Sequence, residues 1–170
     1  MKAKGVGIRD VARLAGVSTA SVSRALNNPA AVRVELRARI DAAAQQLGYI
    51  PDAAARALSS RRTRTIGAVI PTVDNAMFAR GIEALERYLT LQGYLLLLAT
   101  SGYDPELEHR QAQNMVSRGI DGLILRGDVH TEGLRRLLHT QRIPFINVGV
   151  YQPDKPQACV GADNERHPVR

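Results

Sequence analysis

A small all-α unit followed by an α/β layer built on a parallel sheet is the architecture this sequence predicts. Three features predict it. Short helical patterns fill the first 50 residues, the texture changes at Pro51, and apolar strand runs then alternate with amphipathic helices. The expected bounds are 1–50 for the helical unit, 51–64 for a further helix and linker, and 65–170 for the α/β part.

The first helix is expected over 8–15 (IRDVARLA), with Ile8, Val11, Ala12 and Ala15 on one face and Gly16 where it must stop. Ser18 is a good N-cap for a second helix over about 19–27, with Val22 and Leu26 one turn apart on its buried side. It ends at Asn27-Asn28-Pro29. A third, over about 35–47, carries Leu36, Ile40, Ala43, Ala44 and Leu47 at helical spacing and closes at Gly48. From Pro51 the run PDAAARALSSRRTRT reads as an alanine-rich helix with Pro at its first position, then a basic linker.

Strands are expected at 65–70 (TIGAVI), 94–99 (YLLLLA), 122–126 (GLILR), 144–148 (PFINV) and 158–160 (ACV). Helices at about 78–92, 105–118 and 132–141 separate them, with Asp104 and Thr131 as N-caps and Gly93 and Gly119 as stops. Continuous apolar runs joined by amphipathic helices imply a doubly wound parallel sheet covered on both faces.

Charge is divided unevenly. The chain carries a formal net charge of +7, yet residues 1–65 hold 12 Lys/Arg against 4 Asp/Glu and residues 66–170 hold 11 against 12. Basicity confined to the smaller part is the footprint of a polyanion-binding module joined to an ordinary globular domain. The single cysteine, Cys159, excludes an intramolecular disulfide, and its apolar neighbours suggest a small buried hydrophobe. No apolar signal region opens the chain and no run is long enough to span a membrane, so a cytoplasmic protein is expected. His109, His130, His139 and His167 show no metal-ligand spacing and are expected in solvated or capping roles. Arg126-Gly127-Asp128 reads as a strand-end turn and nothing more. Neither a Gly-rich phosphate loop nor an acid–base or nucleophile constellation follows any strand, so no cofactor is expected and an enzyme is disfavoured.

The segment DVARLAGVSTASVSRAL (10–26) carries the functional signal. Two short helices joined by a tight turn need a small residue where they touch (Ala12), one tolerant of positive φ (Gly16) and an apolar plug (Val17). The second helix then offers Ser18, Thr19, Ala20, Ser21, Ser23 and Arg24 on its outer surface: small and hydroxyl-bearing, then one long bidentate donor. That is the profile of a helix seated in a DNA major groove; the alternative is a solvated helical hairpin.

This segment, continued through ARIDAAAQQLGYIPDAAARALSSRRTRTIGAVIP to GIDGLIL and Asp163-Asn164, closely resembles the lactose-repressor/galactose-repressor (LacI/GalR) family. The resemblance implies an all-α helix-turn-helix headpiece, a hinge helix and an α/β subdomain like that of periplasmic sugar-binding proteins, working as a dimer on double-stranded operator DNA. It implies that Thr19, Ala20 and Arg24 face base edges, while Ser18, Ser21 and Ser23 lie near phosphates or support the helix. In the hinge, Ala53, Ala54, Ala55 and Ala57 are small enough for two helices to share a widened minor groove beside Arg56, and Leu58 matches a leucine that wedges into a base step. A core leucine is the alternative there. Asp74, Asn75 and Phe78, with Asp163 and Asn164, fall where the family lines its cleft for a sugar- or nucleobase-class effector; Phe78 serves equally as a helix-start core residue.

Two departures stand out. Gly7 replaces the family's usual capping Thr, and Arg33 and Leu36 replace the usual Ser and Thr at the start of the third helix, which predicts a less stable headpiece with Arg33 offered to phosphate. The family's chains are about twice as long, so an incomplete α/β subdomain with an open edge, impaired effector response and weak dimerisation are expected. A sequence-specific transcription repressor is the leading function. A small-molecule binding protein and a non-functional remnant are the others.

Overall fold

The structure, a computed structural model, describes residues 5–151 and 157–161. The chain forms two compact units, Met1–Arg61 and Arg62–Arg170.

The first unit holds α1 (Ile8–Ala15), α2 (Thr19–Asn27), a 3₁₀ turn (Pro29–Ala31), α3 (Val34–Leu47) and α4 (Ala53–Ser60). Val11 from α1, Val22 from α2 and Ile40 from α3 have no exposed surface and meet at the centre. Ala12, Ala15, Ala25 and Ala43 surround them, and their small side chains let three short helices approach closely. Leu26 is only half-buried, and Ala25 takes the buried place one residue earlier. The expected cap losses are present: neither Gly7 nor Arg33 supplies a side-chain cap. At α1 only the return bond exists, with the Gly7 N–H donating to the Asp10 carboxylate at 3.0 Å. Helix α4 differs from expectation at its start. Asp52 is the N-cap, its carboxylate accepting the Ala54 N–H at 2.9 Å, so Pro51 precedes the helix instead of opening it.

The second unit holds β1 (Thr65–Ile70), α5 (Ala76–Leu91), β2 (Leu95–Thr100), α6 (Pro105–Ser117), β3 (Gly122–Arg126), α7 (Glu132–Gln141), β4 (Phe145–Val148) and β5 (Cys159–Val160). All neighbouring strands pair in parallel, in the order β2-β1-β3-β4-β5. Helices α6 and α7 cover one face, where Val69, Leu123 and Leu125 of the sheet meet Ala112, Met115, Leu134 and Leu138. At Gly67 the approach is so close that a Cβ would lie 2.8 Å from the Met115 sulfur, which is why β1 carries glycine there.

The opposite face departs from the expected full cover. Helix α5 presents Phe78, Ile82, Leu85 and Leu89 at helical spacing, yet none of its residues is fully buried, and Ile66, Leu96, Ile124 and Ile146 of the sheet stay half-buried. Cys159 departs as well: it lies half-buried on the two-residue edge strand β5 instead of in the core. Among the described residues no helix is long and apolar enough to cross a membrane.

Candidate functional site

Helix α1 stops because Gly16 adopts φ +63°, ψ +41°, and the Val17 N–H returns to the Ala12 carbonyl at 3.0 Å. That reversal starts α2 two residues later. The Ser18 Oγ accepts the Ser21 N–H at 3.1 Å and lies 3.0 Å from the Ser21 Oγ. The two hydroxyls thus form a pair at the positive end of the helix dipole. Val22 and Ala25 fix the inner face of α2 in the core. Outward, Ser18, Thr19, Ala20 and Arg24 are exposed, whereas Ser21 and Ser23 are half-buried, and the Ser23 hydroxyl accepts the Asn27 amide at 3.2 Å. Ser21 and Ser23 are therefore less exposed than Ser18, Thr19, Ala20 and Arg24. The Arg24 side chain makes no hydrogen bond or ion pair among the described residues, in contrast to Arg13, which pairs with Asp10, and Arg37, 3.5 Å from Asp41.

On α4, Leu58 is 87% exposed, which removes its alternative as a core leucine. Ala53, Ala54, Ala55 and Arg56 are exposed too, with Ala55 and Arg56 lining a shallow hollow of about 120 Å³ beside Ile8, Leu26 and Tyr49. The α4 surface thus combines small alanines with Arg56 and one exposed leucine.

At the carboxyl ends of the strands, Asn75 is the N-cap of α5; its Oδ1 accepts the Met77 and Phe78 N–H groups at 2.9 and 3.4 Å. This cap starts α5 two residues earlier than expected. Asp74 is exposed, its N–H donating to Thr72. Phe78 is half-buried beneath the Arg126 guanidinium, 5.6 Å from the ring centroid. Arg126 also donates from Nη1 to the carbonyls of Val148 and Gly149 at 3.2 and 3.0 Å, so it ties α5, β3 and the end of β4 together. Its expected role as a bare turn residue is corrected accordingly. Asp163 and Asn164 lie outside the described residues, as does His167.

His130 is a second correction. It is neither solvated nor a cap: its ring is buried, with Nδ1 2.8 Å from Glu108 Oε2 and Nε2 3.2 Å from Asn147 Oδ1. No pattern along the chain brings residues 108, 130 and 147 together; only the parallel crossovers do. Asp121 was equally hidden within the apolar GIDGLIL run. Its carboxylate accepts the Thr63 and Arg64 N–H groups at 3.0 and 2.9 Å and fastens the chain entering β1. A hollow of about 470 Å³ beside it, lined by Ile66, Tyr88, Leu89 and Tyr94, sits at the amino ends of the strands, away from Phe78 and Arg126. Among the described residues no cluster of potential ligands is arranged to hold a metal ion.

Residues 7–52 match the bacterial regulatory proteins of the lacI family, and residues 63–165 match the periplasmic binding proteins and sugar binding domain of the LacI family. The chain belongs to the LacI family. Its relatives within that family include the HTH-type transcriptional regulator GntR of Escherichia coli K12, 38% identical over 96% of this chain and 50% of that protein. A LacI-family transcriptional regulator of Silicibacter pomeroyi superposes with a TM-score of 0.78 at 32% identity, over 95% of this chain and 48% of the other. The lac repressor dimer bound to operator and the anti-inducer ONPF shares the fold, with a TM-score of 0.77 at 22% identity over 96% and 50% of the two chains. The chain thus spans about half the length of the LacI-family relatives it matches.

Proposed function

We propose that this chain is a sequence-specific transcription regulator of the repressor type that reads a palindromic operator in double-stranded DNA as a dimer. The supporting observation is α2: one face locked by Val22 and Ala25, the other carrying an exposed Arg24 whose side chain has no partner among the described residues. In this reading α2 enters the major groove. Thr19 and Ala20 meet base edges, Ala20 through an apolar contact such as a thymine methyl, and Arg24 donates two hydrogen bonds to guanine. The Ser18–Ser21 hydroxyl pair lies toward a phosphate at the helix N-terminus, and Ser23 holds the helix end through Asn27. Paired α4 helices occupy the minor groove, with Ala55 and Arg56 along its walls and Leu58 opening a base step. Arg33, at the start of α3, contacts phosphate.

At the carboxyl ends of the strands, Asp74, Asn75 and Phe78 line the wall of a cleft for a small effector of the sugar or nucleobase class. Arg126 supports that wall by stacking on Phe78. Such a protein acts on the chromosome in the cytoplasm and performs no covalent chemistry. A gel-shift assay of the full chain against operator-like palindromes, with scrambled duplexes as competitors, tests the reading. A palindrome that survives competition supports it, and equal competition by every duplex contradicts it.

A further inference from the structure

The Glu108–His130–Asn147 chain plays no part in the DNA reading above, and its geometry is specific. His130 ends the loop between β3 and α7, one residue before Thr131, the N-cap of α7. Its side chain is 3% exposed and that of Glu108 8%. Glu108 reaches it from α6, at 2.8 Å from Nδ1, and Asn147 from β4, at 3.2 Å from Nε2. Both partners present acceptor oxygens. A neutral imidazole has one N–H and one lone pair, so it satisfies only one of them; the imidazolium donates to both.

We propose that Glu108, His130 and Asn147 form an acid-strengthened latch that holds the β3–α7 loop against α6 and β4 and slackens when His130 loses its proton. Burial opposes the charge on the ring. The hydrogen bond and attraction from Glu108, with the bond to Asn147, outweigh that cost and raise the His130 pKa above its ordinary 6.5, while Arg135 on α7 acts in the opposite direction. These are the charged groups facing the ring from α6 and α7, and β4 contributes only the neutral Asn147. His109, adjacent to Glu108 on α6, lies against Gly133 of α7, and Asp128 on the loop and Glu132 in the first turn of α7 are the neighbouring ionisable groups in sequence.

The sign follows from the raised value. The native state binds the His130 proton more tightly than the unfolded chain, so the latch contributes fully below the unfolded pKa of about 6.5. It is lost as pH rises through the native midpoint.

The test is an NMR titration of the full chain between about pH 5 and pH 9, following the His130 ring resonance, assigned through His130→Gln. Amide-exchange protection factors of residues 127–134 are read at each pH. The His130 midpoint is expected above 6.5. Protection across the loop should fall as pH passes that midpoint, while amides of α1–α3 keep theirs. Glu108→Gln should lower the midpoint and remove the fall. The wild-type measurement decides alone if that variant does not fold. A midpoint at or below 6.5, or loop protection unchanged across it, overturns the latch.

Discussion

Arg24 and Leu58 are both exposed on short helices, Arg24 on the outer face of α2 and Leu58 on α4. An arginine without a partner keeps all five donors, and a leucine in water keeps its whole apolar surface, so both hold unspent binding energy. For Leu58 the expected use is unstacking a base step. Leu58→Ala should reduce the DNA bend and weaken specific binding while leaving non-specific affinity nearly unchanged, because phosphate contacts do not depend on the wedge. Phase-sensitive gel mobility reads the bend, and equal bends for the two proteins would refute the wedge. At this scale the sequence was legible where local spacing decides the outcome. Ser18, Gly16 and Asp104 all cap or stop helices as their neighbours require. His130 was not legible, because Glu108 and Asn147 reach it only through two parallel crossovers.

Helix boundaries show how far element-level patterning reaches. Helix α7 and strands β1 and β3 fall where the apolar runs place them. Helix α5 starts earlier than its apolar stripe because Asn75 caps it, a role that the spacing of apolar residues does not mark. The three-helix core is legible in its periodicity, but its economy appears only in the structure. Four of its seven fully buried residues are alanines, so Val11, Val22 and Ile40 are the only large side chains at its centre among the described residues, with half-buried neighbours such as Leu36 and Leu47 around them. Ile40→Ala should therefore cost about 2–5 kcal/mol, the range for removing a large aliphatic side chain from a packed core. With caps missing at α1 and α3, the headpiece has little reserve against that loss. Urea unfolding followed by helical circular dichroism checks this; a loss well under 1 kcal/mol would mean the core collapses around the gap.

Across the whole molecule, charge is the property most plainly written in the sequence. The excess of Lys/Arg over Asp/Glu lies within the first 65 residues, while the remainder is close to neutral. If those cations neutralise about 6 to 10 phosphates, affinity for DNA should fall by roughly 10³ to 10⁵ between about 50 and 200 mM salt. Salt-independent binding would exclude phosphate neutralisation as the source of affinity. The α/β unit was legible as a parallel layer because its strands are continuous apolar runs. The thin cover over its α5 face was not, since periodicity marks which side of a helix is apolar but not how deeply it is buried. Fold and charge together leave one claim at the centre, that α2 reads base edges through Arg24. The most direct measurement selects binding sites from random duplexes with the full chain and with Arg24→Ala, at matched salt. The expected result is a palindromic motif for the wild type, and for the variant a loss of about 1–3 kcal/mol on that site with relaxed preference at one symmetric pair of positions. An identical motif from both proteins would contradict it.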